Sequence, residues 1–202
     1  MTKSTHLVAL TAVLSLLLLL NLNFHTRSAI TTPIEDDQGI KCLKHLKNSL
    51  SDPQSSLASW IFPTTYSLGF VCKFAGVSCW NDRENRVFAL NLSSMSLRGP
   101  IPGSLRLCSS LQILNLSGNA LSANIPSQLC SWLPYLVVLD LSRNNLTGPI
   151  PAEIANCKYL NKLILDDNRL SGLIPDEIFR LTRLNAISVA NNSLSRSLVG
   201  AF

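Results

Sequence analysis

Hydrophobic positions in the middle of the chain follow neither the period of a helix nor that of a strand. In LQILNLSGNALSANIP (residues 111–126), the spacing of Leu111, Leu114 and Leu116 breaks both rhythms. The same spacing returns in LVVLDLSRNNLTGPIP from Leu136 and in LNKLILDDNRLSGLIP from Leu160. Aligned on their asparagines, the segments start at Val87, Leu111, Leu136, Leu160 and Leu184, at intervals of 24, 25, 24 and 24 residues. The pattern therefore predicts a stack of similar units rather than a mixed globular core.

The template L-x-x-L-x-L-x-x-N-x-L-x-G-x-I-P, at this period, is the signature of leucine-rich repeats. In each L-x-L, such as Leu139 and Leu141, two leucines point inward from a short strand and the residue between them points out. No unit can bury its leucines alone, so neighbours stack into one continuous core. Asn119, Asn144, Asn168 and Asn192 recur where the chain turns, and their amides are expected to bond free backbone groups in an inward ladder. Met95 holds that place in the first repeat. Gly99, Gly148 and Gly172 allow the next bend, where the second repeat has Ala123. Ile-Pro at 101–102, 125–126, 150–151 and 174–175 favours extended backbone on the outer side. The second repeat has one extra residue, within LCSWLPYL. The fifth starts well and then departs, with Arg196, Leu198 and Val199 at the Gly, Ile and Pro places. The chain ends without the polar cap that terminal repeats usually carry, so a fragment or an altered end is expected.

Composition is apolar, with 47% hydrophobic and 14% charged residues, and part of that excess lies in one place. Lys3 is followed by an apolar run from Leu7 to Leu22, 16 residues, with Thr26 and Ser28 beyond it. The run is short for a span of about 20 residues. It reads as a secretory signal peptide cut near Ser28, the alternative being a retained signal anchor. The expected organisation is thus a signal peptide (1–28), an N-terminal cap (29–86) and about five repeats (87–202), the last incomplete. Cleavage would remove Lys3 and Arg27 and lower the formal charge from +5 to +3. The remaining cations are scattered, which gives no reason to expect a nucleic-acid partner. Lys41, Lys44 and Lys47 read as a solvated helix face. No second apolar stretch of about 20 residues follows. The chain reads as secreted or at the cell surface, with membrane attachment only through sequence beyond Phe202.

In the cap, Leu43, Leu46, Leu50 and Leu57 predict amphipathic helix pieces broken at Asp52-Pro53. Cys72 and Cys79 flank a six-residue loop and are candidates for a disulfide closing the first edge of the solenoid. Cys108 and Cys157, at the same place in two repeats, read as buried free thiols. Cys42 and Cys130 have no partner that the sequence names, and six cysteines allow fifteen connectivities.

The residues also argue against an enzyme. His45 is the one histidine after residue 28, so a His-based triad lacks its context and a two-histidine metal site cannot form. No P-loop, dinucleotide fingerprint or kinase motif appears. Asp166-Asp167 and Asp176-Glu177 read as solvated or capping carboxylates rather than an acid–base pair. No cofactor, metal or small-molecule substrate is expected. The concave face of the solenoid is the expected functional surface. Ile113, Val137, Val138 and Ile164 would make an apolar stripe across it, rimmed by Arg143, Lys162 and Asp166, with Asp140 and Ser188 beside it. Such a stripe suits a protein partner better than a sugar. Sequons stand at Asn91, Asn115, Asn145 and Asn191. Glycans on the first two would cover the concave face of the first two repeats.

The 24-residue form with G-x-I-P resembles the plant extracellular class of these repeats. Leu43 to Trp60, with L-K-x-S-L-x-D-P and L-x-S-W, resembles the plant N-terminal cap. IKCLKHLKNSLSDP, GFVCKFAGVSCWNDRENRV and LCSWLPYLVVLDLS together resemble the BAK-interacting receptor-like kinases (the BIR family). Phe74 replaces the usual cap tryptophan as in that family. The family also has the Cys42 position, W-N-x-x-E-N-R-V at 80–87 and C-x-W-L-P at 130–134. The resemblance covers roughly residues 39–195. It implies an α/β solenoid, a plant-type right-handed leucine-rich-repeat superhelix with a helical, disulfide-linked N-terminal cap. It also implies an ectodomain that binds somatic embryogenesis receptor kinase co-receptors and holds them away from immune and hormone receptors. The family's membrane span and kinase domain are not in this sequence. The competing readings are a secreted inhibitor of microbial wall-degrading enzymes and a truncated gene product. The first usually has about ten repeats and a cysteine-paired C-terminal cap, which this chain lacks.

Overall fold

The inward leucines of successive repeats come into register in a computed structural model of the chain, which describes residues 37–65 and 67–195. The expected signal peptide (1–28) and the divergent tail (196–202) lie outside the described residues. Strand β1 (Val77–Cys79) pairs antiparallel with β2 (Val87–Asn91). Four parallel strands follow, β4 (Ile113–Asn115), β6 (Val138–Asp140), β8 (Lys162–Ile164) and β10 (Ala186–Ser188). Leu90, Leu114, Leu139, Leu163 and Ile187 stand in one row across the pairing. A second parallel sheet joins β3 (Arg98–Gly99), β5 (Ala120–Asn124), β7 (Asn145–Gly148), β9 (Arg169–Leu173) and β11 (Ser193–Ser195). This is the leucine-rich-repeat solenoid that the period predicts.

Burial follows the template. Leu114, Leu116, Leu139, Leu141, Leu163 and Leu165 are all 0% exposed. The chain returns through 3₁₀ turns at Gly103–Leu107, Ala152–Asn156 and Asp176–Arg180, which bury Leu105, Ile154 and Ile178. The second repeat makes a short α-helix there instead, Leu129–Trp132. An α turn takes 3.6 residues where a 3₁₀ turn takes 3.0, so it absorbs the one extra residue without shifting the strands. In the fifth repeat the pattern opens. Ile187 is 42% exposed, because no strand pairs with the far side of β10 among the described residues.

The expected asparagine ladder is present. Asn144 accepts from the Leu121 N–H and donates to the carbonyls of Leu116, Leu141 and Ser142. Asn168 does the same one repeat on, with Leu146 N–H and the carbonyls of Leu141, Leu165 and Asp166. Each asparagine thus fastens its own turn to the repeat before it.

At the N-terminal end, helix α1 (Gln38–Ser49) is capped by Asp37, whose carboxylate accepts from the N–H groups of Gly39 and Ile40. Asn85 in turn donates to that carboxylate at 2.7 Å. The second expected helix piece is a run of turns instead. The Asp52 carboxylate takes the N–H groups of Ser56 and Leu57, which satisfies the backbone without a helix. Lys47 is not merely solvated, since its ammonium donates to the Trp60 carbonyl at 2.9 Å. Trp60 is buried, stacks on Phe74 and donates its indole N–H to the Ala75 carbonyl.

The cysteines correct the free-thiol expectation. All six are paired, as Cys42–Cys108, Cys72–Cys79 and Cys130–Cys157. Cys108 and Cys157 do occupy equivalent places, but each meets a partner from an irregular segment, α1 in one case and the inserted turn of the second repeat in the other.

Ala123 carries a backbone strain that its sequence place foretells. Its φ is +67°, in the region held by Gly148 (+74°) and Gly172 (+81°) in the next repeats. A left-handed φ costs an L-residue about 1 kcal/mol or more, and part of that gain is lost because glycine loosens the unfolded chain. Ala123→Gly is therefore expected to raise stability by about 0.5 kcal/mol, read as a higher urea midpoint at unchanged slope.

A candidate partner-binding face

The outward positions of β2, β4, β6, β8 and β10 form rows across the sheet. One row is Ala89, Ile113, Val138, Lys162 and Ala186. The next along the strands is Asn91, Asn115, Asp140, Ile164 and Ser188. Of the expected stripe, Ile113 and Val138 are direct neighbours and Val137 sits just before them. Ile164 lies in the other row, beside Asp140 and Ser188, and Lys162 interrupts the stripe next to Val138. All four apolar residues are half-buried and Lys162 is exposed. Ala89, at the start of the first row, is only 8% exposed, set between Ser78 and Ile113 on the paired strands.

The carboxylates beyond the strands are largely occupied. Asp140 accepts from the Ser142 N–H and hydroxyl, as Asn115 does from Ser117. Asp166 accepts from the Ser188 hydroxyl and the Ala190 N–H, both at 2.7 Å. It is thus a strut between the fourth and fifth repeats more than a rim charge. Arg143 lies 3.7 Å from Asp167 with its side chain 78% exposed, a pair that adds little to stability and leaves the guanidinium available. Asn91, Asn145 and Asn191 are exposed and Asn115 half-buried; Asn145 is on the second sheet. Among the described residues no group of His, Cys, Asp or Glu is placed to hold a metal ion, and no helix is long and apolar enough to cross a membrane.

Sequence reasoning missed a second row, at the edge where the chain enters the sheet. The residues one position before each repeat's first apolar residue are Arg86, Ser110, Tyr135, Tyr159 and Arg183. Tyr135 and Tyr159 have ring centroids 5.9 Å apart, and the Arg183 guanidinium lies 4.9 Å over Tyr159. Arg86 lies 5.0 Å over Trp80 and donates to the Ser110 hydroxyl at 3.2 Å. Trp80 also meets Phe88, at 5.7 Å. The signal was present in the alignment, at the position just ahead of the template, where no residue type is fixed.

Comparison with known proteins adds to this geometry. Residues 36–80 match the leucine-rich-repeat N-terminal domain model, and residues 110–132, 135–157 and 159–181 match the leucine-rich-repeat model. The fold is similar to the crystal structure of the BIR2 ectodomain from Arabidopsis thaliana, with a TM-score of 0.77 and 57% identity, covering 79% of this chain and 83% of that one. It is similar also to the BIR3–SERK2 complex from Arabidopsis thaliana, with a TM-score of 0.75 and 60% identity, covering 77% of this chain and 82% of that one. The inactive leucine-rich-repeat receptor-like serine/threonine-protein kinase BIR2 of the same plant is 57% identical over 110 residues, 54% of this chain and 18% of that protein. The chain thus spans less than a fifth of that kinase's length.

Proposed function

Because this chain belongs to the BIR-type leucine-rich-repeat ectodomains of plant receptor-like kinases, we propose that it is a non-enzymatic, extracellular protein-binding module whose partner is the ectodomain of a SERK-type co-receptor. The observation that carries this reading is the match, at 60% identity and over 82% of the matched chain, to a structure of BIR3 in complex with SERK2. The repeats here are free of insertions that would reshape that surface, since the one extra residue is absorbed in the α turn at Leu129–Trp132. The contact area lies on the concave sheet, with Ile113, Val137, Val138 and Ile164 supplying apolar surface. Arg143 and Lys162 supply the free charge beside them, and Asp140, Asp166 and Ser188, already held by hydrogen bonds within the sheet, flank it as fixed polar groups. The domain limits at residues 28 and 86, the route through the secretory pathway and glycans on Asn91, Asn115, Asn145 and Asn191 belong to the same reading.

The consequence of binding is sequestration. A co-receptor held by this chain is withheld from a ligand-activated receptor, so signalling falls. The chain should therefore reduce assembly between SERK2 and a peptide-bound receptor ectodomain in a concentration-dependent way, measured by analytical size-exclusion chromatography. Assembly that persists at saturating amounts of the chain would defeat sequestration.

A further inference from the structure

A cleft of about 300 Å³ opens at the N-terminal end of the solenoid. It lies between the start of α1, the segment that leads into β2 and the residues that follow the first 3₁₀ turn. The W-N-x-x-E-N-R-V stretch at 80–87 builds its floor. Asn81 accepts from the Arg83 N–H at 2.9 Å and donates to the Glu84 carboxylate at 2.6 Å, which fixes the turn. Asn85 follows and is 3% exposed. Its carbonyl packs so closely on Gly39 that a Cβ there would overlap it, so α1 needs a glycine at this point. Its Nδ2 donates to the Asp37 carboxylate at 2.7 Å. Its Oδ1 has no hydrogen-bond partner among the described residues. With the carbonyl and Nδ2 turned to α1, Oδ1 is the polar atom that Asn85 gives to the cleft. A buried acceptor without a donor is costly, and native structures seldom keep one without a use.

Charge limits what can bring that donor. An anion would find no free N–H at the start of α1, because Asp37 already takes those of Gly39 and Ile40. A cation would meet the guanidinium groups of Arg83 and Arg86, both exposed beside the cleft. A neutral ligand bearing hydroxyl groups meets neither obstacle. A hydroxyl both donates and accepts, so one ligand can serve Oδ1 and Glu84 as acceptors and Arg83 and Ser109 as donors. Leu68, 57% exposed, offers apolar surface to the C–H face of a sugar ring. The volume stands at the small end of the range for small-molecule sites, about 300–1,000 Å³, which suits a short saccharide. The Cys42–Cys108 bond ties α1 to the residue beside Ser109, so two walls are fixed before a ligand arrives.

We infer that this cleft, centred on Asn85, binds a neutral oligosaccharide. The inference does not depend on the co-receptor reading, and it uses a different face of the molecule from the apolar stripe. A free glucan and a mannose-bearing glycan on another protein offer the same chemistry. Two-dimensional NMR of the full chain separates them, following the Gly39 amide and the Asn85 side-chain amide during titration with cellotriose, mannotriose and trigalacturonate. The expected result is a saturable shift of both signals with a millimolar dissociation constant for a neutral sugar, and at least tenfold weaker binding of trigalacturonate. Preference for cellotriose assigns the site to glucan, and preference for mannotriose assigns it to a glycan. Asn85→Leu removes the acceptor but also the bond to Asp37. Ser109→Tyr is therefore measured beside it, since residue 109 is exposed and its ring would fill the mouth of the cleft. Ser109→Tyr is expected to weaken binding tenfold or more at an unchanged urea midpoint. Signals at Gly39 and Asn85 that neither neutral sugar moves, or a shift that Ser109→Tyr leaves intact, would overturn the inference. Trigalacturonate binding as tightly as the neutral sugars would overturn it too.

Discussion

Replacing Cys42 and Cys108 together by alanine is expected to lower the unfolding free energy by about 4 kcal/mol. The bond joins positions 66 residues apart, and loop-closure entropy grows with that separation. The same estimate gives a smaller loss, about 3.5 kcal/mol, for the Cys130–Cys157 bond, with a separation of 27. What the longer bond holds also matters. Cys42 lies on the buried face of α1 with Ile40, Leu43 and Leu46, and Cys108 ends the first 3₁₀ turn. The bond therefore fixes the N-terminal helix over the first repeat, where the solenoid core would otherwise meet water. Urea unfolding under non-reducing conditions measures the loss. A change below about 1 kcal/mol would show that the packing of α1 holds this edge without the bond.

The second large effect is expected in the asparagine ladder. Asn144 is 7% exposed and makes four backbone hydrogen bonds at 3.0–3.1 Å. Asn144→Ala removes its amide and leaves the Leu121 N–H and the three carbonyls without that partner. Each buried group so orphaned costs about 1–3 kcal/mol, less whatever water or relaxation restores. A net loss of about 3 kcal/mol follows, with the same expected for Asn168→Ala. Asn145→Ala, one position on and exposed, serves as the control, with a change within about 0.5 kcal/mol. Equal effects at 144 and 145 would mean that the ladder adds nothing to the stack.

How much of this was legible depended on whether the information repeats. The inward leucines, the turn asparagines and the strained place of Ala123 recur every 24 or 25 residues. Stacking makes each recurrence a spatial row, so alignment alone located them. Cys42 and Cys130 lie outside the repeat, in α1 and in the inserted turn, and their partners are set by how those segments fold back. Spacing cannot reveal that. The second cap helix failed for a local reason, because Asp52 bonds the backbone in a turn that competes with a helix.

The candidate site was read in part. The outward positions were identified, but the apolar stripe ignored pairing, which places Lys162 next to Val138 and moves Ile164 one row away. The edge row was legible in principle, since Arg86, Ser110, Tyr135, Tyr159 and Arg183 share the position just before each repeat's template. It was passed over because that position has no fixed residue type. Only the ring distances show that its occupants touch.

Direct binding of this chain to a co-receptor ectodomain is the proposal on which sequestration depends. Isothermal titration calorimetry of the full chain with the purified SERK2 ectodomain, without any peptide, tests it most directly. A one-to-one complex with micromolar or tighter affinity is expected. A folded, monodisperse chain that releases no heat and forms no complex would contradict it.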